Sequence, residues 1–195
     1  MFETISNLPL LSILLIAVAP SVWNGIGRFE YSTKLISRAF GSNIKGCYFL
    51  TILVMIVSRT RDLVFAMVVL QNRNQYEVPG TINFILGAVL FTAGIMLVVI
   101  SNNKLGLLGT HMGDHFGIFL DAKITSFPFN ILENPMYTGS FMGMLGFAIF
   151  FNSFTGIKLA LFALLVYNLY SKLYEEKFTT YIYEQKAERE KVKQK

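Results

Sequence analysis

Four blocks of apolar residues, each long enough to cross a membrane, decide what this chain can fold into. They run over about residues 8–26, 47–70, 82–101 and 137–174, with polar stretches between them. A helix needs about 20 apolar residues to span the hydrocarbon core of a bilayer. Strands of a membrane β-barrel would instead alternate apolar and polar residues. The blocks therefore predict an all-α polytopic membrane protein with one integral-membrane domain over residues 1–195.

Composition excludes an ordinary soluble domain. Of the 195 residues, 53% are hydrophobic and only 15% are charged, whereas a soluble domain carries about 25% charged residues. The formal net charge of +5 is expected to act on anionic lipid headgroups rather than on nucleic acid, because basic residues concentrate in the cytosolic loops of membrane proteins. The single cysteine, Cys47, excludes an intrachain disulfide.

The last apolar block, residues 137–174, is too long for one ordinary span. The sequence "FNSFTG" breaks it at residues 152–156. Each half has about 15–18 residues, or about 22–27 Å of helix. Two folds fit this pattern, and both place three spanning helices before it. In one, a C-terminal helical hairpin follows; in the other, a long fourth span follows.

The distribution of basic residues favours the hairpin. The tail from Lys172 carries seven Lys or Arg residues and should be cytosolic. A hairpin then places the basic 28–45 stretch on the same side and the near-neutral 71–80 loop in the lumen, whereas a single long span would reverse both. The predicted parts are membrane segments over 1–101, a cytosolic active-site loop over 102–136, the hairpin over 137–174 and a cytosolic helical tail over 175–195.

The stretch "ENPMYTGSFMG" opens the last apolar block. Asn134 is a good N-cap and Pro135 suits the first helical position. This pattern is typical of a plain helix start, but the free N–H groups of that first turn could also hold an anion. Gly139 and Gly143 form a small-residue face that either packs a neighbouring helix or lets a flat ligand reach the backbone. The same two alternatives, packing of a neighbouring helix or close approach of a ligand, apply to Gly94 in the third block.

The stretch "GTHMGDHFG" contains the polar residues His111, Asp114 and His115. Their spacing is not that of a metal motif such as H-E-x-x-H, and no thiolate lies nearby, so we expect no metal site. Asp114 is a candidate proton acceptor if it lies beside a polar cleft. The alternative is a solvated loop.

Two further groups of charges stand at or near membrane depth. Arg59, Arg61 and Asp62 lie inside the second apolar block, where ionisable residues are costly and often functional. They could pair with each other, or an arginine could hold a lipid phosphate. Glu175 and Glu176 stand where the last helix leaves the membrane. Adjacent helical residues point about 100° apart, so one glutamate could form a surface ion pair, as Glu176 could with Lys172 four residues before it, while the other turns inward.

Three of these stretches together resemble the phospholipid methyltransferase family, in its small single-unit branch. They are "KLGLLGTHMGDHFGIF", "FPFNILENPMYTGS" and "LYEEKFTTYIYEQK", and the likeness extends upstream through "VWNGIGRFEYSTKLISRAFGS". The stretch "NPMYTG" is also similar to the H-P-x-Y-x-G motif of isoprenylcysteine carboxyl methyltransferases. Asn134 stands where that group has histidine, which favours the phospholipid branch.

The resemblance implies S-adenosyl-L-methionine as methyl donor and no metal. In the family, a G-x-G motif and a Glu-Glu pair are assigned to this cofactor, and here they fall on Thr92-Ala93-Gly94 and on Glu175 and Glu176. Thr92 replaces the first glycine of the motif, while Gly94 matches. The implied location is the endoplasmic reticulum membrane, multi-pass, with the active site facing the cytosol. A mitochondrial membrane is the second candidate.

The expected reaction is in-line attack of a neutral lipid amine on the sulfonium methyl group. Its acceptors are phosphatidyl-N-methylethanolamine and phosphatidyl-N,N-dimethylethanolamine, giving phosphatidylcholine, with phosphatidylethanolamine a further candidate. The alternatives are an isoprenylcysteine-type carboxyl methyltransferase and a non-enzymatic membrane scaffold or transporter subunit. The predicted roles are catalysis by Asp114 and Tyr137; cofactor binding by Thr92, Ala93, Gly94, Asn134, Pro135, Glu175 and Glu176; and phospholipid binding by Arg28, Arg61, Phe127 and Phe129.

Overall fold

The computed structural model describes residues 7–77, 80–122 and 124–193, so residues 1–6 and 194–195 of the predicted domain lie outside it. The described residues are almost all helical and contain no strand, which confirms the all-α prediction. The α-helices are α1 (Leu8–Thr33), α2 (Leu35–Ala39), α3 (Asn43–Gln71), α4 (Gly80–Thr110), α5 (Pro135–Phe150), α6 (Phe154–Tyr170) and α7 (Glu176–Lys193).

Within the described residues, three helical stretches are long and apolar enough to cross a membrane, namely Leu8–Thr33, Gly80–Phe116 and Phe154–Val192. Large apolar side chains of α4, including Phe84, Val89 and Met96, are exposed on its outer face. A bilayer would cover such a face, because lipid tails are as apolar as these side chains. The prediction of a polytopic membrane protein is therefore confirmed.

Helix α3 runs without interruption through "SRTRD", the charged stretch inside the second apolar block. Arg61 is buried, and its Nη2 donates a 2.7 Å hydrogen bond to Asp62 Oδ1. Arg59 lies 3.7 Å from the other oxygen of the same carboxylate. The Asp62 carboxylate balances one of the two arginine charges, and the helix continues through all three residues.

Helix α1 extends past Gly27, where the apolar block ends, and stops at Thr33. Lys34 adopts a left-handed conformation, and its N–H bonds the carbonyl oxygen of Glu30, which closes the helix. The Glu30 carboxylate is fully buried and accepts from the backbone N–H groups of Ile36 and Ser37, at the start of α2. Glu30 therefore serves as the cap of α2 and fixes the turn between the two helices.

Helices α5 and α6 form the predicted hairpin. They are joined by a short turn in which Asn152 has positive φ and Ser153 caps α6 by accepting from the Gly156 N–H. The turn also bonds the loop after α3, because Asn74 N–H donates to Phe151 O and Gln75 N–H donates to Asn152 O. The hairpin turn and the 71–80 loop thus lie at the same end of the bundle.

Helices α4 and α5 approach each other so closely that their backbones touch. A Cβ atom added to Gly94 would lie 2.5 Å from both Gly139 O and Gly143 N, and one added to Gly146 would lie 2.4 Å from Phe91 N. Only glycine permits such an approach. Elsewhere the core is made of larger apolar side chains, including Ile16 of α1, Val68 of α3 and Ala160 of α6.

The chain remains helical where it leaves α6. Residues Ser171–Glu175 form a π-helical turn, and α7 follows directly. A π-turn inserts an extra residue into the helical path and often occurs at functional sites. The prediction that the helix continues past the glutamate pair is confirmed. Helix α4 is also longer than expected, since residues 102–110 of the predicted loop are helical, with a non-helical kink at Gly106.

Candidate active site

Glu175, at the end of the π-turn, is the centre of a polar cluster between α1, α5 and the end of α6. Its Oε1 accepts a 2.6 Å hydrogen bond from the Tyr137 hydroxyl and a 2.9 Å bond from Asn24 Nδ2. The indole N–H of Trp23 points to the same oxygen at 3.4 Å. Asn24 and Trp23 are buried and Glu175 is half-buried. Residues from both ends of the chain therefore meet at one carboxylate.

The two oxygens of the Glu175 carboxylate differ in their surroundings. All three donors converge on Oε1. Within the described part of the chain, Oε2 accepts no hydrogen bond. An ionised carboxylate can accept about four hydrogen bonds through its two oxygens, so Oε2 keeps its capacity for a ligand that donates.

Glu176, the next residue, lies in a different setting. Its Oε1 accepts from Ser171 Oγ at 3.2 Å and from Asn134 Nδ2 at 3.5 Å. Asn134 stands at the N-cap position of α5, as predicted, but its side chain does not cap the helix. The amide instead donates to Ser171 Oγ at 2.5 Å. Glu176 and Asn134 thus join the start of α5 to the end of α6, with Pro135 buried beneath them.

Tyr137 links the cluster to the interior of the bundle. Its ring stacks on Tyr167 with centroids 4.9 Å apart. The guanidinium of Arg61 lies over the Tyr167 ring, 5.6 Å from its centroid. Arg61 is thus one aromatic pair away from Glu175. Its charge is already balanced by Asp62, which makes it less available to a phosphate.

Arg28 lies one turn beyond Asn24 on α1. Its Nη2 donates to the Tyr174 carbonyl oxygen at 2.8 Å, and its guanidinium lies 4.7 Å from the Phe178 ring centroid. Its Nε is buried and has no hydrogen-bond partner among the described residues. In the same part of the chain, no carboxylate forms a salt bridge with it.

Asp114 and His115 form a pair in the 3₁₀ helix Gly113–Phe116. Asp114 Oδ1 accepts the backbone N–H of His115 and lies 2.8 Å from its ring nitrogen Nδ1. The imidazole packs 5.1 Å from the Phe178 ring and faces Gly27 of α1. Lys34 Nζ donates to the His115 carbonyl oxygen, and burial lowers the pKa of Lys34, with Arg189 adding to this effect and Glu30 opposing it.

The G-x-G position lies away from the polar cluster. Thr92 is exposed on α4, Ala93 is half-buried, and Gly94 is buried against the backbone of α5. Of the two alternatives left open by the sequence, helix packing is the one that the Gly94 contacts bear out. The cofactor role that the resemblance implies for these three residues stays a prediction.

Phe127 and Phe129 lie in the segment between the 3₁₀ helix and α5. Phe127 is exposed and Phe129 is half-buried. Among the aromatic pairs of the described residues, neither ring contacts Tyr137 or Trp23. Their proposed role against the lipid amine is untested by these contacts. In the described ranges, no group of three or more His, Cys, Asp or Glu side chains could hold a metal ion.

Sequence reasoning missed Trp23 and Asn24, which provide two of the three donors to Glu175. One signal was available: adjacent polar and indole side chains inside an apolar block are unusual, since polar groups at membrane depth need partners. Ser171 was missed as well, and His115 was considered as a metal ligand but given no other role. Each is buried and bonded to a predicted site residue.

Comparison with known sequences identifies the family of the chain. The family model described as phospholipid methyltransferase matches residues 82–186. The chain belongs to the phospholipid methyltransferase family. It is 40% identical to phosphatidylethanolamine N-methyltransferase of Homo sapiens over 176 residues, which cover 90% of the chain and 88% of the relative.

Two fungal relatives carry a different name. Phosphatidyl-N-methylethanolamine N-methyltransferase of Emericella nidulans is 38% identical over 93% of the chain and 88% of the relative. The protein of that name from Saccharomyces cerevisiae is 35% identical over 89% of the chain and 82% of the relative. No solved structure is significantly similar to the chain.

Proposed function

We propose that the chain transfers the methyl group of S-adenosyl-L-methionine to the amines of phosphatidyl-N-methylethanolamine and phosphatidyl-N,N-dimethylethanolamine, forming phosphatidylcholine. Phosphatidylethanolamine is a further candidate acceptor, because the relatives are named for it and for its monomethyl form. The observation that carries the proposal is the convergence of Tyr137 and Glu175 in a member of this family.

The residues of the cluster fit the cofactor. S-adenosyl-L-methionine supplies an electrophilic methyl group on its sulfonium. Its α-ammonium and ribose hydroxyls all donate hydrogen bonds, and a carboxylate accepts them. Glu175 offers Oε2 for this purpose, and the half-buried position strengthens a charge-assisted bond. Glu176, Asn134 and Pro135 would border the same site at the start of α5.

Tyr137 and Asp114 are the proposed catalytic groups for the acceptor amine, which must be neutral to attack. The Tyr137 hydroxyl donates to Glu175, and its oxygen can still accept a bond from the N–H of the protonated acceptor before that proton leaves. Asp114 would accept the proton through its partner His115, because its Oδ1 is committed to that imidazole. Phe127 and Phe129 remain candidates for cation–π contact with the methylated ammonium.

The phosphate of the lipid would be held by Arg28 in preference to Arg61. Arg28 makes one hydrogen bond, to Tyr174 O, and has no carboxylate partner in the described ranges, so its guanidinium can still present two N–H groups to a phosphate. Arg61 already uses Nε and Nη2 for Asp62.

The proposed location is the endoplasmic reticulum membrane, with a mitochondrial membrane as second candidate and the active site facing the cytosol. Single cysteines in a Cys47→Ala background test the orientation. Arg38→Cys and Lys191→Cys should be labelled together by an impermeant reagent in sealed microsomes, while Arg73→Cys is protected. Labelling of Arg73→Cys together with only one of the other two would overturn the hairpin topology.

The decisive assay offers purified protein the three lipid amines and a prenylcysteine acceptor, with labelled S-adenosyl-L-methionine. We expect transfer to phosphatidyl-N-methylethanolamine and phosphatidyl-N,N-dimethylethanolamine and none to prenylcysteine. Methylation of prenylcysteine alone would favour the carboxyl methyltransferase. Cofactor binding without transfer to any lipid amine would refute the proposed acceptors.

A further inference from the structure

Two side chains of α1, which lies outside the residues that the family model matches, contact the proposed cofactor carboxylate. The family model spans residues 82–186, whereas Trp23 and Asn24 lie in the first helix. Both donate toward Glu175 Oε1, across 152 and 151 positions in the sequence. Asn24 Nδ2 also donates to Pro20 O at 2.9 Å, so both of its amide hydrogens have acceptors.

These bonds restrict how Glu175 can turn. A glutamate side chain has several rotatable bonds, and an exposed one samples many rotamers. Here one oxygen is held by a buried amide, a buried indole and the Tyr137 hydroxyl. The other oxygen, Oε2, receives no hydrogen bond from the described residues and can accept one from a ligand. A site that is ordered before binding loses less conformational entropy when the ligand arrives.

We infer that Trp23 and Asn24 are positioning residues of the cofactor site, which fix Glu175 through Oε1 so that Oε2 accepts a donor of S-adenosyl-L-methionine. The inference rests on the proposed function, because Glu175 must be the cofactor carboxylate. It assigns to the first helix a part in cofactor binding beyond the G-x-G position and the Glu-Glu pair, and outside the residues that the family model matches.

The first test needs no cofactor. Trp23 is the only tryptophan of the chain, so its emission reports on this contact alone. Glu175→Gln should shift the emission maximum of the ligand-free protein, because the indole N–H loses a charged acceptor. Glu176→Gln is the matched control and should not shift it. Equal emission from the parent and both variants would overturn the Trp23–Glu175 contact.

The second test measures equilibrium binding of S-adenosylhomocysteine, the demethylated cofactor, to the full chain. Asn24→Leu should raise Kd about tenfold and Trp23→Phe about threefold, since each removes one donor to a charged group. Asn168→Leu is the control. Asn168 makes the same bond to the carbonyl four residues earlier but has no second acceptor in the described ranges, and we expect less than a twofold change.

A double-mutant cycle separates positioning from a general effect on the fold. If Asn24 acts through Glu175, then Asn24→Leu combined with Glu175→Gln should bind no more weakly than Glu175→Gln alone. Additive losses would overturn the inference. Should Asn24→Leu fail to fold, the same cycle is run with Trp23→Phe.

The outcomes distinguish this inference from the proposed function. If Glu175→Gln weakens binding while Asn24→Leu and Trp23→Phe bind like the parent, the positioning role is wrong and the cofactor site stands. If Glu175→Gln itself binds like the parent, the cofactor site is misplaced, whatever the emission of Trp23 shows.

Discussion

The α4–α5 interface and the cluster around Glu175 both use the first turns of α5, yet they are built from opposite kinds of residue. At the α4–α5 interface, Gly94 meets Gly139 and Gly143 with backbone against backbone. At the cluster, Tyr137 reaches across to Glu175 and brings polar side chains of α1 with it. One face of α5 therefore has no room for a ligand, and the other has hydrogen-bonding capacity left over.

This difference bears on how the family motifs are interpreted. The resemblance assigns the G-x-G position and the Glu-Glu pair to the same cofactor. Both glutamates keep an Oε2 without a partner in the described ranges, but Glu175 is half-buried whereas Glu176 is exposed. Gly94 is covered by α5, so a cofactor could not reach it from that side. Helix packing alone explains why glycine stands at position 94, because small residues let helices approach closely in lipid.

The largest expected effect comes from filling the glycine interface. Gly94→Leu should destabilise the protein by about 3 kcal/mol or more, because its side chain would overlap the α5 backbone. Gly25→Leu is the matched control, since a Cβ there meets nothing within 4 Å. Thermal unfolding followed by circular dichroism measures both. If Gly94→Leu melts like Gly25→Leu but loses cofactor binding, the interface is part of the cofactor site.

The second prediction separates the two glutamates. Glu175→Gln should weaken cofactor binding by about 1.5–3 kcal/mol, the range for hydrogen bonds to charged groups. Glu176→Gln should weaken it less, because Glu176 is exposed and solvent screens any bond to its carboxylate, whereas Glu175 is half-buried. Binding of labelled S-adenosyl-L-methionine measures the difference. A larger loss from Glu176→Gln would move the cofactor to the start of α5.

The third prediction concerns the lipid phosphate. Arg28→Lys keeps the charge but removes the planar pair of donors, and it should raise the KM for the lipid roughly tenfold, or about 1.4 kcal/mol. Arg59→Lys is the control, since the Arg59 side chain is 75% exposed and already lies near Asp62. The KM for the cofactor should stay unchanged in both. If only the cofactor KM rises in Arg28→Lys, the residue serves the cofactor instead.

The smallest effect is expected where the start of α5 lies against the end of α6, at the opposite end from the hairpin turn. Ser171→Ala removes the hydroxyl that accepts from Asn134 and donates to Glu176. We expect a stability loss of about 0.5–1 kcal/mol and less than a twofold change in cofactor affinity. Thr180→Ala, which removes only a bond to the carbonyl four residues earlier, is the control. A clear loss of cofactor affinity in Ser171→Ala would extend the site to this junction.

Local signals in the sequence predicted much of the fold. The lengths of the apolar blocks predicted the membrane helices, and "FNSFTG" predicted the hairpin turn that Asn152 and Ser153 form. The helix across Glu175 and Glu176 was predicted because no Gly or Pro follows them. These features depend on residues close together in the chain, so hydropathy, caps and breakers are enough to find them.

The charged residues of α3 show where local patterns stop. The sequence left two alternatives for Arg59, Arg61 and Asp62, namely pairing with each other or binding of a lipid phosphate by an arginine. In the structure, Arg61 is balanced by Asp62 and packs over Tyr167 of α6. The second contact joins residues far apart in sequence, which no local pattern reveals.

The sequence by itself determined that this is an all-helical membrane protein of the phospholipid methyltransferase type, with its polar residues near the ends of a few helices. Only the tertiary structure decided that Glu175 turns toward Trp23 and Asn24 while Glu176 turns toward Asn134 and Ser171. The reason is physical. Lipid-facing and protein-facing surfaces are both apolar, so hydropathy does not mark which face of a membrane helix is buried. The rotation of each helix is set by packing, and packing brings residues 23 and 24 to residue 175.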